Sequence, residues 1–404
     1  MNKIAPLKNP VQEYAWGSRT AIPSLLGLPV PSERPAAELW LGAHPKAPSQ
    51  VMLAGEWQTL DTVIERDPVS VLGKGVAERF SNTLPFLFKV LAVDRPLSIQ
   101  AHPNLDQARK GFERENRLGI PLDAPERNYK DPHHKPEILC AVTRFEALKG
   151  FRSPDDILRL LGQVSDEGPS HELDGLKRAP DPSGLRRFFT SLVSMNPARR
   201  KRAIESTVGR ARQSMDLDRA FWWMVELNRA YPGDVGVLSP LIFNLVALEA
   251  GEAIYIPAGE LHSYLKGVGL ELMANSDNVV RGGLTQKHVD VPELLRIVNF
   301  SPGPVQKIAL KPGRQATERV YETQASEFQL SAIAVSENST FTDEEDRGVE
   351  IMICMEGEAR IKDLRSGQFE IVGKGMSVLI PSAVGPYLIE GEATLYKAAV
   401  GMDF

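Results

Sequence analysis

The feature that most constrains this chain is a change of texture that later reverses. Strand-like text fills roughly the first 150 residues, helix-like text runs from Ser153 to about Tyr231, and strand-like text resumes after Leu238. Leu84–Val93 is a nearly unbroken apolar run interrupted by Lys89, and Leu97–His102 alternates as a half-buried strand does. Glu137–Val142 reads as another strand, with Pro136 where a strand start tolerates it. The middle block then changes period. Ser153-Pro154 reads as an N-cap followed by proline at the first helical position, and Asn196-Pro197 repeats the signal. Leu185, Phe188, Phe189, Leu192 and Val193 line one helical face, and Phe221, Met224 and Val225 mark another. Ser301-Pro302-Gly303-Pro304 reads as a linker, and the last hundred or so residues alternate between turns as a small antiparallel β sandwich or barrel does. The expectation is a mainly β fold with a helical module between two strand-rich segments.

The β text also echoes itself. Ala250–Leu265 and Lys374–Ile389 align Gly251 with Gly375 and Pro257 with Pro381, while His262 falls on Pro386. A β module therefore occurs twice in this reading, with a ligand-type residue only in the first copy.

A chain of 404 residues has room for two or three domains. Its net charge of −5 argues against nucleic acid or an anionic membrane as the main partner. The basic run Arg199–Arg202 is then read as a solvated helix face. Cys140 and Cys354 lie among apolar residues and belong to no CxxC pair, so both read as buried hydrophobes. The opening residues lack an apolar h-region, and no stretch approaches a membrane span. The cytoplasm is the expected compartment.

Three short stretches carry possible chemistry. Gln100 and His102 are two apart on one strand, so they share a face. His133-His134-Lys135-Pro136-Glu137 gathers two imidazoles, an amine and a carboxylate. Gly251-x5-Pro257-x-Gly259-x2-His262 delivers a histidine at the mouth of a strand. Taken alone, each reads as a polar loop or strand edge facing solvent. Together Gln100, His102, Glu137 and His262 offer two nitrogen and two oxygen ligands, a set that suits Zn²⁺.

Several longer stretches resemble one family over nearly the whole chain: the type I mannose-6-phosphate isomerases, which are zinc-dependent cupins. They are Gln12–Ser18, Glu38–Pro45, Leu84–Leu91, Leu97–Asn104, Tyr129–Glu137, Phe145–Arg152 and Glu271–Val291. The Gly251–His262 string resembles the second cupin motif but carries Lys266 where that motif has asparagine. The resemblance implies two cupin (jelly-roll) β domains plus an inserted helical domain. A catalytic cupin would comprise residues 1–152 and 236–300, a helical insert residues 153–235, and a cupin-like β domain without metal ligands residues 301–404. It places one zinc per chain on Gln100, His102, Glu137 and His262, and a catalytic arginine on Arg281.

The implied reaction interconverts D-mannose 6-phosphate and D-fructose 6-phosphate through a cis-enediol. Such chemistry needs a base, a group that stabilises the enediolate, and a cationic grip on the phosphate. Arg281 suits the enediolate. His134 and Lys135 are candidates for ring opening and proton shuttling, and Glu271 or Asp277 for the C1/C2 base. Lys89, with Ser98, suits the phosphate, although Lys89 could instead reach solvent. His44, His171 and His288 have no strong claim, and His171 is expected in solvent. The expected partner is a small sugar phosphate, and the expected state a monomer, with a weak homodimer as the alternative. A non-catalytic sugar-sensing cupin would be expected to lack a ligand or Arg281, and a cupin oxygenase would need His-x-His where Gln100-x-His102 stands.

Overall fold

A strand turns alternate side chains to opposite faces, and this alternation organises the molecule. We describe it from a computed structural model covering residues 1–164, 170–343 and 347–401. Among these residues two large antiparallel sheets form, of ten and eleven strands. The ten-stranded sheet is built around the long strand His262–Ala274. One part of it pairs with Phe86–Val93, and other parts pair with Ile99–Ala101, Glu137–Ala141 and Phe145–Phe151.

Along these strands the two faces separate cleanly. Phe86, Phe88, Val90 and Ala92, with Ile138, Cys140, Leu270 and Leu272, join a core shared with the C-terminal module. The intervening positions Lys89, Glu137 and Glu271 therefore turn to the opposite face, into the first β module. There, Leu91, Leu139, Ile254, Ile256 and Tyr264 form a separate apolar cluster.

The helical text forms a series of helices, from Pro154–Val164 to Arg219–Ala230. Asp181, Asn196 and Asp218 cap three of them by accepting a backbone N–H. The flanking strands Phe145–Phe151 and Phe243–Leu248 pair directly with each other, so the helices are an excursion between neighbours in one sheet. Leu185, Phe188, Phe189 and Leu192 pack with Phe221 and Met224 in a core continuous with Phe151 and Phe243. Of the basic run, Arg199 pairs with Glu172, and Lys201 and Arg202 face solvent. The His171 side chain lies outside what the structure describes.

Residues 301–309 form neither helix nor strand and lead into the eleven-stranded sheet. Three strands of that sheet, Ala5–Lys8, Gln50–Leu53 and Glu56–Thr59, come from the N-terminal part of the chain. Ala5–Lys8 pairs with Ser377–Ile380 on one side and with Gln50–Leu53 on the other. Nothing in the texture of the sequence announced this pairing. The internal echo is structural. Gly251 and Gly375 have φ of +84° and +81°, which suit glycine, and each precedes a short strand, Ala253–Ile256 or Ser377–Ile380. Each unit ends in a strand of 13 residues, His262–Ala274 or Tyr387–Ala399. No helix among the described residues is long and apolar enough to cross a membrane.

Candidate active site

The register of three strands assembles the site. Gln100 lies directly opposite His262 on one side and opposite Arg281 on the other. Directly opposed residues share a face, so the three side chains project together, and His102 joins them two residues further on. Glu137 opens its strand opposite Met273 and Ile256. The ligand atoms of His102, Glu137 and His262 all lie within 4.8 Å of one another, and all three residues are buried.

Hydrogen bonds fix how these groups present themselves. His102 Nδ1 lies 2.7 Å from the Asn278 carbonyl, and His262 Nδ1 lies 3.0 Å from that of Glu260. A carbonyl only accepts, so each Nδ1 carries the hydrogen and each Nε2 presents a lone pair. Those two Nε2 atoms and Glu137 Oε2 are buried without a hydrogen-bond partner. Each Nε2 is 3.3 Å from a Glu137 oxygen. Two ligands about 2.1 Å from one tetrahedral ion stand about 3.4 Å apart, so the spacing fits zinc. The protonation states fit as well. Burial, with help from Lys135, lowers the His102 pKa to about 4, which keeps the ring neutral. Burial pushes the Glu137 carboxyl up, but Lys135 and His102 outweigh it and hold the group well below the usual carboxylate range.

Lys135 Nζ sits 2.8 Å from Glu137 Oε1, at the edge of the cluster. Arg281 is half-buried, and among the described residues its guanidinium has no hydrogen-bond or ion-pair partner. Burial alone lowers its pKa. A structural ion pair is thus not what holds it there.

The other sequence-derived candidates are placed differently. Lys89 is buried, with Nζ 2.9 Å from Glu271 and 3.5 Å from Glu38, over the Trp40 ring. Burial disfavours its charge, but the two carboxylates outweigh that and keep it protonated. Burial raises the Glu271 pKa against the pull of Lys89. Asp277 lies 2.7 Å from Lys46 and 3.6 Å from His44. Burial favours its protonation, but these two neighbours hold the carboxyl far below its ordinary range. His134 Nε2 meets Glu327 Oε1 of the C-terminal module at 2.7 Å rather than joining the cluster. Ser98, half-buried ahead of Ile99–Ala101, makes no side-chain hydrogen bond among the described residues.

Three relevant residues escaped the sequence reading. Asn278 is fully buried and ties two parts of the site together. Its Oδ1 accepts from the backbone N–H of Lys130 and Asp131, its Nδ2 donates to the carbonyls of Asp131 and His133, and its own carbonyl orients His102. Lys287 and Lys130 are the others. The Lys287 pKa is lowered by burial and then by Arg281, Lys130 and Lys46, which marks a cluster of cations beside Arg281. The run Lys-His-Val-Asp around Lys287 carried no signal of its own.

The comparisons with known proteins agree with this geometry. Residues 4–154 match the family model for the catalytic domain of type I phosphomannose isomerase. Mannose-6-phosphate isomerase from Escherichia coli (strain K12) is 40% identical over 394 residues, covering 97% of this chain and 98% of that protein. The chain belongs to the type I phosphomannose isomerases. The mouse mannose-6-phosphate isomerase is 31% identical over 98% of the chain and 92% of its own length. Among solved structures, a single-site mutant of phosphomannose isomerase from Salmonella typhimurium superposes with a TM-score of 0.91 at 37% identity, covering 99% of this chain and all of that one. A zinc-bound mannose 6-phosphate isomerase gives 0.90 at 37% identity, with the same coverage.

Proposed function

We propose that this chain interconverts D-mannose 6-phosphate and D-fructose 6-phosphate through a cis-enediol, with one zinc ion held by Gln100, His102, Glu137 and His262. The observation that carries the proposal is a half-buried guanidinium without a counter-ion, strand-paired to the same residue as one of the histidines. When bound, zinc supplies a Lewis acid that orients and polarises the sugar oxygens.

The protein's own groups supply the rest. Arg281 faces the negative charge that develops on the enediolate, and its charge survives any working pH. Lys135, fixed on Glu137, can give and take a proton at the sugar oxygens. Of the two carboxylates, Glu271 is the better acceptor for the C2 proton, because burial raises its proton affinity whereas the neighbours of Asp277 lower that group's. The proton leaves C2 and O1 is protonated as the enediol forms; O2 then gives up its proton as a proton returns to C1, which completes the ketose. Asp277 instead holds Lys46 and His44 in place. For the phosphate, Lys89 is enclosed by two carboxylates. Lys287 and Lys130 offer the dianion a less encumbered grip, with Ser98 available at the strand's mouth.

One chain supplies every group named, so a monomer suffices. Free, buried Cys140 and Cys354 accord with a cytoplasmic setting. Metal analysis combined with a coupled isomerase assay tests the proposal: zinc-replete protein that fails to turn over mannose 6-phosphate would refute it.

A further inference from the structure

The ligand-bearing strand Glu137–Ala141 has two faces, and the C-terminal module covers one of them. Glu137 points into the first β module. Ile138 and Cys140 point away, into a core shared with Tyr321, Phe328, Leu330 and Tyr396. Cys140 Sγ lies 3.1 Å from the Tyr321 hydroxyl, which itself donates to the Gly251 carbonyl at 2.9 Å. That packing supports the strand as a whole. A separate contact reaches the segment just before it, where His134 Nε2 meets Glu327 Oε1 at 2.7 Å. Glu327 stands in the connection between the strands Glu318–Tyr321 and Gln329–Val335, and its side chain is only 14% exposed.

The link from His134 to the cluster is short and stiff. Lys135 precedes a proline, which restricts it to extended geometry, and Pro136 has its φ fixed by its ring. The backbone from His134 to Glu137 therefore has fewer soft torsions than an ordinary loop, and the Lys135 ammonium is held at its end by Glu137, 2.8 Å away. Asn278 and Ser276 secure the same segment from the other side, through the carbonyls of Asp131 and His133. The segment is thus gripped by its own module on one flank and by the C-terminal module on the other.

We propose that Glu327 is a positioning residue for the isomerase site: through His134 it sets where the Lys135 ammonium stands beside Glu137, and this is what the C-terminal module contributes to catalysis. The proposal rests on the isomerase reading above. The hydrogen bond from His134 is what matters, so an uncharged acceptor of the same shape should serve. Misplacing a reacting group by about 1 Å can cost on the order of 100-fold. A looser segment that still samples the right geometry should lose less.

The experiment compares Glu327→Ala and Glu327→Gln in the full-length zinc enzyme, alone and with His134→Ala. For Glu327→Ala we expect kcat to fall about tenfold with KM, zinc content and melting temperature close to wild type. Glu327→Gln should recover most of that kcat. In the His134→Ala background, Glu327→Ala should add no further loss, because the two act as one unit. The proposal fails if Glu327→Ala has wild-type kcat, if its loss merely tracks lost zinc or lost folding, or if Gln rescues nothing. It also fails if the loss is the same in both backgrounds. A wild-type enzyme that binds zinc but does not turn over mannose 6-phosphate would instead remove the isomerase reading beneath it.

Discussion

The interiors of the two β modules invite comparison because each buries a lysine among carboxylates. In the first, Lys89 lies between Glu271 and Glu38. In the second, Lys397 Nζ lies 3.0 Å from Glu318, 3.4 Å from Glu350 and 3.5 Å from Asp343. The Tyr387 hydroxyl sits 3.0 Å from Asp343 and 2.9 Å from Glu350, completing that network. Buried charge therefore does not distinguish the modules. The unsatisfied atoms do. Two imidazole nitrogens and one carboxylate oxygen converge without partners in the first module, whereas each charged group of the Lys397 cluster has one. Leaving a buried acceptor unpaired costs about 1–3 kcal/mol. A fold keeps three together where a ligand repays that cost.

The sharpest way to break this comparison is to make the first module resemble the second by removing a converging donor. His102→Ala should abolish zinc binding and lower turnover by about 10³-fold or more. Stoichiometric zinc in that variant would remove His102 from the ligand set. Chelation of the wild type should have the same kinetic effect and also lower its melting temperature, because an ion that binds only the folded chain stabilises it. Next in size is Arg281→Ala. It leaves the converging donors untouched, so zinc should remain while kcat/KM falls by about 10²- to 10³-fold. Wild-type turnover would take the unpaired guanidinium out of the chemistry.

What was readable in advance follows the same division between local and distant. Helix starts at Pro154 and Pro197 are written in adjacent residues, as is the strand alternation that puts Gln100 and His102 on one face. His102, Glu137 and His262, which the structure brings together, were legible because imidazoles are scarce and their chemistry is narrow. The pairing of Ala5–Lys8 with Ser377–Ile380 was not legible, since it joins segments more than 360 positions apart through backbone groups that every residue carries. Nor was Lys89 as a salt-bridged core residue, because its partners Glu38 and Glu271 come from different strands. His134 looked like a proton shuttle from its neighbours alone. Its direction toward Glu327 depends on how two modules dock, and no local pattern encodes that.

Asn278 sharpens the comparison at a smaller scale, because it acts on the ligand cluster without joining it. Asn278→Ala deletes the side-chain bonds to residues 130–133 but leaves the backbone carbonyl that orients His102. Weaker orientation of the carbonyl and of the Lys135 segment should reduce zinc affinity by about 10- to 100-fold, measured by competition with a chelator. Unchanged affinity would show that the carbonyl is held by the strand alone.

The smallest functional effect is expected in the second module, where the comparison predicts none. Tyr387→Phe removes the hydroxyl between Asp343 and Glu350 while keeping the ring. Burial already raises the Glu350 pKa, and Lys397 opposes that shift. Losing the hydroxyl should further favour protonation of this carboxyl. A hydrogen bond to a charged group contributes about 1.5–3 kcal/mol, so chemical denaturation should show a loss of that order. Zinc content and kcat should stay at wild-type values, because the cluster lies in the other module and the contacts at Glu327 and Tyr321 are left intact. A fall in kcat at full zinc occupancy would mean that the two interiors are coupled, and that the paired charges of the second module serve the reaction as well as the fold.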